Sequence, residues 1–277
     1  SVHGRLTAAA ATATGLGEGT MVLVGGHDQA CAALGLGVID PGSAFLAAGT
    51  AWVLTVVTDR AAIGELPISL NLSPHVLPGR WSASTSLGGM GAAISWWLGQ
   101  PPGRHSDEVR PPGEPAIAKS SPFFAPAVGD HERRGWGRFE RVGPSHGHGH
   151  RELAVFEAAA FEVRRALGHI LWITGPLDHL VAVGGASANP RLLQVLADVV
   201  GLPIRVVGEA SWPAVGAARI AATAIGWHLP RSAPERATTS TRTVVPDPAA
   251  VAVHTERWTT YRRLSGEEHD QERSGDP

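Results

Sequence analysis

A chain of 277 residues with 43% hydrophobic and 17% charged side chains can bury a sizeable core in one large domain or two small ones, which excludes wholesale disorder. Its formal charge of -2 gives no electrostatic ground for expecting nucleic acid or an anionic membrane as partner. The lone cysteine, Cys31, cannot form an internal disulfide, no apolar run approaches the roughly 18 residues of a membrane-crossing helix, and the N-terminus lacks a signal-peptide pattern, so the reading is a cytoplasmic protein.

Met21 to Val24 is a short, partly β-branched apolar run that reads as a buried strand, and Gly25-Gly26 lets the backbone turn tightly at its end. His27-Asp28-Gln29 then opens a helix of small residues, Ala30 to Leu36. This sets Asp28 at the C-terminal edge of a strand, where α/β sheets bind ligands. Ser43 to Ala48 and Trp52 to Val57 are two further strands joined through Gly49-Thr50, a turn whose backbone N–H groups and hydroxyl can hold a phosphate. Thr58 to Pro78 is a polar connection with an extended piece at Pro67 to Leu72, and Trp81 to Ser86 is another strand. Ile94, Trp97 and Leu98 recur at helical spacing within Ala92 to Leu98, whereas Pro101 to Pro122 is too proline-rich for a helix and reads as a surface loop.

His146-Gly147-His148-Gly149-His150 places three imidazoles within five residues, yet alternating His and Gly offers no fixed geometry and no thiolate or carboxylate companion, so no metal site is assigned and the segment reads as loop. Leu153, Phe156, Ala160, Val163, Leu167 and Ile170 then mark a long core helix that Gly175-Pro176 stops. His179 to Val183 is a strand, Gly184-Gly185 a turn, and Asn189-Pro190 a helix start with Asn as cap and Pro in the first turn. A strand at Pro203 to Val207 and a small-residue helix at Pro213 to Ile225 complete a strand-helix alternation that argues an α/β layer architecture.

GGHDQ, AALGxG and the Gly49-Thr50 turn, followed much later by GGAxxN and ADVVGLPI, resemble in order and spacing the C-terminal half of the FGGY family of carbohydrate kinases. The resemblance runs from the N-terminus to about Trp227, is weaker in the middle, and returns from Pro246 to Leu264. GGMGAAISWWLG resembles the family's helix beside the nucleotide, and Phe123-Phe124-Ala125-Pro126 the opening of another recurring segment. It implies an actin-like, ribonuclease-H-type α/β domain, a mixed sheet flanked by helices, over residues 1–229. A linker over 230–243, a closing helix over 244–264 and a disordered tail over 265–277 would follow. Leu6 to Leu16 would be a short helix ended by Gly15. SVHGRLTAAAATATGLGEGT resembles the segment that precedes the catalytic Asp deep inside such kinases, and nothing in the chain matches the family's DxGT phosphate loop, so the chain reads as a fragment without the N-terminal sugar-binding domain.

The implied reaction is ATP-dependent phosphorylation of a sugar or polyol hydroxyl, with Mg2+. Asp28 matches the catalytic base, and Gln29 a position that contacts the acceptor. Gly49 and Thr50 match the second phosphate loop, Gly91 and Ser95 positions beside the nucleotide, and Gly185 and Asn189 the adenosine loop. A missing or separately encoded N-terminal kinase domain would be the partner. The residues alone also allow Asp28 and Asn189 to be plain helix caps and Gly49-Thr50 a plain turn. A catalytically silent nucleotide-binding or interaction module therefore stays open as the alternative. There is no Walker loop and no dinucleotide fingerprint.

Overall fold

The computed structural model describes residues 2–61, 70–99, 117–127, 136–208, 210–227 and 241–265. The chain begins with a small hairpin unit, β1 (Val2–Arg5), α1 (Ala8–Thr14) and β2 (Met21–Leu23), in which β1 and β2 pair antiparallel. Gly15 ends α1 in the left-handed conformation, as expected of that glycine. Next come α2 (Asp28–Leu36), β3 (Ala44–Ala48), β4 (Trp52–Thr58), β5 (Asn71–Pro74), β6 (Trp81–Ser86) and α3 (Met90–Leu98). A second small hairpin, β7 (Phe123–Pro126) with β8 (Gly137–Glu140), precedes the long helix α4 (His148–Thr174). β9 (Leu180–Val183), a 3-10 turn (Gly185–Ala188), α5 (Pro190–Val200), β10 (Ile204–Val207), α6 (Trp212–Ala224), β11 (Thr241–Val244) and α7 (Pro248–Leu264) complete it.

Seven strands form the main sheet in the order β11-β10-β9-β3-β4-β6-β5. β9 is parallel to both β3 and β10, while β4, β6, β5 and β11 join antiparallel. The order follows from connection length. β3 and β4 meet through a tight turn and must be antiparallel, whereas β9 and β10 are linked through α5 and can be parallel. Alternate residues of β3 point to opposite faces: Ala44, Leu46 and Ala48 join the larger core beneath α3, α4, α5 and α7, and Phe45 joins a smaller core beneath α2 and α6. With both faces covered, β3 and β9 at the centre are apolar throughout.

α2 and α6 owe their close packing to small residues. A Cβ at Gly35 would stand 2.4 Å from Trp212 O, and one at Gly216 would stand 1.8 Å from Cys31 O, so the two helices run antiparallel with their backbones in contact. Gly216→Ala should therefore force the pair apart and cost about 1–3 kcal/mol. Gly168→Ala, in open space on α4, should be neutral or stabilising by roughly 0.5–1 kcal/mol. Urea denaturation of both variants checks the contrast, and equal midpoints would remove the packing argument.

Three sequence expectations are corrected. His148 to His150 belong to the first turn of α4 rather than to a preceding loop, because His148 stacks on Trp97 at 4.8 Å between ring centroids. Thr241–Val244 overlaps the stretch read as linker, yet pairs with Val207–Ile204 as an edge strand of the main sheet. Met21 to Val24, read as a buried strand, instead pairs with the unanticipated β1 in a two-stranded sheet apart from the main one, with Met21 and Val24 exposed. The loop over 101–116, most of the linker, the segment 128–135 and the tail from 266 lie outside the described residues.

Candidate nucleotide-binding site

Three glycine-containing turns that are far apart in sequence meet at one place. The Gly49-Thr50 turn leaves the C-terminal end of β3 and is exposed. On one side it touches the start of α3: Ala92 N–H donates to Thr50 O at 3.1 Å, and a Cβ at Gly91 would lie 2.0 Å from Gly49 O and 2.7 Å from Thr50 O. On the other side it touches the end of β9, where Gly184 adopts φ +97 and a Cβ would lie 2.9 Å from the Ala48 carbonyl. Only glycine fits at these two contacts without moving the backbone. Gly184 was read simply as half of a turn; its contact with Ala48 joins segments more than 130 residues apart and has no local sequence signal.

Gly185, one residue on, faces open space: nothing lies within 4 Å of where its Cβ would be. Asn189 caps α5, its Oδ1 accepting from Arg191 N–H and Leu192 N–H at 3.0 Å each, which leaves its amide nitrogen for another partner. Ser95 is exposed on α3, one turn beyond Gly91 and on the same side of the helix. α3 starts without any side-chain cap. The exposed Gly49-Thr50 turn thus stands next to Gly184-Gly185 and its open side, and an exposed turn of this kind can offer N–H groups and a hydroxyl to phosphate oxygens.

Asp28 and Gln29 stand on α2, on the other face of the sheet. The Asp28 side chain is 66% exposed, with Oδ1 accepting from Gln29 N–H at 2.7 Å and lying 3.1 Å from His27 Nδ1. His27 is the N-cap of α2, its Nδ1 also accepting from Gln29 N–H, at 3.4 Å. Asp28 Oδ2 is left without a partner among the described residues and can accept a proton. Gln29 turns its Oε1 inward, where it is buried with no hydrogen-bond partner among the described residues. No hydrogen bond joins Asp28 to the glycine turns. Its loop instead supports the β5–β6 turn, since a Cβ at Gly26 would meet Val76 Cγ1 at 2.2 Å. That contact too has no signature in the sequence.

A cavity of about 220 Å3 lies behind the start of α3, lined by Leu87, Met90, Ala93, Trp136 and Ala166, and holds none of the predicted site residues. Among the described residues no group of three His, Cys, Asp or Glu side chains is placed to hold a metal ion. His146 Nδ1 accepts from Gly143 N–H at 2.9 Å.

β6, β4, β3, β9 and β10, an antiparallel meander continued by two parallel strands and flanked by helices, define an α/β domain of the actin-like ATPase class. The sequence profile of the FGGY family of carbohydrate kinases, C-terminal domain, matches residues 104–225. The chain is 30% identical over 242 residues to a ribulokinase of Mycolicibacterium smegmatis, a match covering 80% of this chain and 43% of that protein. It is 27% identical to an autoinducer-2 kinase of Enterobacter sp. (strain 638), over 82% of this chain and 46% of the relative. The crystal structure of xylulose kinase from Rhodospirillum rubrum superposes with a TM-score of 0.78 at 25% identity, over 97% of this chain and 55% of that one. The chain belongs to the FGGY family of carbohydrate kinases, and it spans about half the length of the curated relatives it matches.

Proposed function

We propose that this chain is the nucleotide-binding, base-carrying half of a kinase that transfers the γ-phosphoryl group of ATP to a hydroxyl of a sugar or polyol. The observation that carries this reading is the packing of the Gly49-Thr50 turn between Gly91 and Gly184. It brings the exposed Gly49-Thr50 turn next to Gly184-Gly185, and the space beside Gly185 is open. In this reading Gly49 N–H and the Thr50 hydroxyl meet the β- and γ-phosphates, Gly91 and Ser95 flank the nucleotide, and Gly185 with the Asn189 amide receives the adenosine. Phosphoryl transfer needs positioning and charge stabilisation more than covalent help. Asp28 takes the proton of the attacking hydroxyl, and Gln29, whose Oε1 is turned inward, has only its amide nitrogen to offer the acceptor. Mg2+ is taken up with the phosphates, since this ion usually keeps waters and substrate oxygens in its shell rather than an all-protein cage.

The acceptor pocket and the first phosphate loop belong to an N-terminal kinase domain. Val24, Ile225 and Trp227 are exposed on the segments that continue from the α2 start and the α6 end, and the antiparallel pairing sets these at the same side of the helix pair. They are the apolar surface such a domain would cover. Among the described residues no helix is long and apolar enough to cross a membrane. With a single reduced thiol at Cys31, the reading is a cytoplasmic enzyme with neither nucleic acid nor membrane as partner.

Gly185→Leu tests the nucleotide assignment cleanly, because the open space around Gly185 accepts a side chain without disturbing the fold. It should weaken ATP binding by about tenfold or more, a loss of about 1.4 kcal/mol. His148→Ala should leave the affinity unchanged. Calorimetry showing equal ATP affinity for wild type and Gly185→Leu would sink the assignment.

A further inference from the structure

Gln29 Oε1, Thr55 Oγ1, Ser82 Oγ and His75 Nε2 are buried and have no hydrogen-bond partner among the described residues. Strand register and helix spacing bring them to one layer of the fold. Thr55 and Val57 point to the same face of β4, Val57 stands opposite Ser82 on β6, and Ser82 stands opposite Ser73 on β5, two residues before His75. That face is the one α2 covers, since Val57 joins Ala32, Ala33 and Leu36 in the smaller core. Gln29 lies one turn before Ala32 and Ala33 on the same stripe of α2. Gly26, just ahead of the helix, touches Val76 beside His75.

The four atoms are complementary in kind. His75 Nδ1 accepts from Leu77 N–H at 3.0 Å. Burial, together with the nearby Arg80 charge, lowers the pKa of the ring, so at neutral pH it is uncharged and carries its proton on Nε2. His75 Nε2–H is then a donor, Gln29 Oε1 an acceptor, and each hydroxyl both. Thr55, Ser82 and His75 are 0%, 2% and 7% exposed, so bulk solvent does not satisfy them. Packing alone would be better served by Val and Ala at the hydroxyl positions, and the turn by Asn, which makes the same bond to the backbone two residues on. Polar atoms gathered in this way are the usual partners of a buried water, which makes two to four hydrogen bonds.

We propose that ordered water is bound between the start of α2 and the face of β4, β6 and β5, accepting from His75 Nε2–H and donating to Gln29 Oε1. The Thr55 and Ser82 hydroxyls are its further partners, and His75 is thereby a positioning residue for Gln29. The water fixes which end of the Gln29 amide faces inward. The consequence for an acceptor hydroxyl rests on the kinase reading, whereas the water site itself does not.

Nuclear magnetic resonance on the full chain, with no nucleotide or acceptor added, tests it. The His75 Nε2–H proton should show cross-relaxation with a long-lived water. His75→Asn keeps an acceptor at the position of Nδ1 for Leu77 N–H and removes the Nε2 donor. The turn should therefore persist while the Gln29 side-chain amide becomes mobile, its heteronuclear Overhauser effect falling to that of an exposed glutamine. Thr55→Val, which keeps the shape, should make unfolding about fivefold more favourable because the water loses a partner. In a dry site the same change would remove an orphan hydroxyl and favour the folded state. No long-lived water at His75, a Gln29 amide unmoved by His75→Asn, or a stabilising Thr55→Val would overturn the proposal and leave His75 as a turn former. Each outcome is read without ATP or turnover, so none depends on the nucleotide assignment.

Discussion

Arg257→Met should be among the most destabilising single substitutions in this protein, at a cost of about 3–5 kcal/mol. The Arg257 and Glu157 side chains are 2% and 1% exposed, and their charges have no water to fall back on. The guanidinium donates to Glu157 Oε1 at 2.7 Å and Oε2 at 2.6 Å. It also donates to the carbonyls of Ala118, Lys119, Ser121 and Pro122 at 2.9–3.3 Å, and it lies 3.9 Å from the centroid of the Phe123 ring. His254 Nδ1, 2.9 Å from Glu157 Oε1, completes the cluster. One side chain thus ties α7 to α4 and to the segment that leads into β7. Removing it leaves a buried carboxylate facing His254 alone and four carbonyls without their donor. For a domain of this length the melting temperature should fall by about 10 °C. The double variant Glu157→Met/Arg257→Met should recover part of the loss, because the uncompensated charge goes but the four carbonyls stay unsatisfied. A shift below about 0.5 kcal/mol for Arg257→Met in urea denaturation, within the ordinary range of surface substitutions, would refute the assignment of this cluster as the anchor of α7.

This anchor also shows where sequence reasoning stops. Glu157 sits at an intervening position of the long amphipathic pattern, where a charge reads as solvent-facing, and only α7 arriving from nearly 100 residues away makes the site a buried one. The periodic elements were legible: the strands flanking Gly49-Thr50, the helix over Leu153 to Ile170, and the Asn189-Pro190 start of α5 are each dictated by local pattern and capping chemistry. Thr241–Val244 was not, because it follows directly on a stretch rich in Ser, Thr, Arg and Pro that reads as linker, and only its pairing with β10 sets it apart as a strand. His148 to His150 were read as loop for the same reason, with the Trp97 ring rather than the His-Gly alternation deciding their conformation. At the site, Gly49 and Gly185 were legible as turns, and Gly91 as part of the segment that resembles the family's helix beside the nucleotide. Their convergence was not, since it depends on two backbone contacts, Gly91 with Gly49 and Gly184 with Ala48, across 42 and 136 residues of sequence.

The largest effect on activity is expected at Asp28. In a complex of this chain with an N-terminal FGGY kinase domain carrying the DxGT loop, Asp28→Asn should lower turnover by about 10² to 10⁴, the usual worth of general-base assistance. The substitution is conservative in the folded state. The Asn carbonyl oxygen can still accept from Gln29 N–H, as Asp28 Oδ1 does at 2.7 Å, so the start of α2 keeps that bond and stability should change little. What is lost is the second oxygen, unpartnered among the described residues and able to take a proton. The chain by itself should show no useful turnover, because an acceptor hydroxyl held by nothing forfeits on the order of 7 to 11 kcal/mol of positioning. Asp28 cannot recover that alone. Release of ADP, measured by coupled assay across pentoses, hexonates and polyols, separates the possibilities. Strong turnover by the isolated chain would show that the acceptor pocket lies within these 277 residues. A fully active Asp28→Asn complex would show that another group takes the proton. Loss of turnover at an unchanged melting temperature would fix Asp28 as the base, since a residue that served only to hold the helix start would leave the chemistry intact.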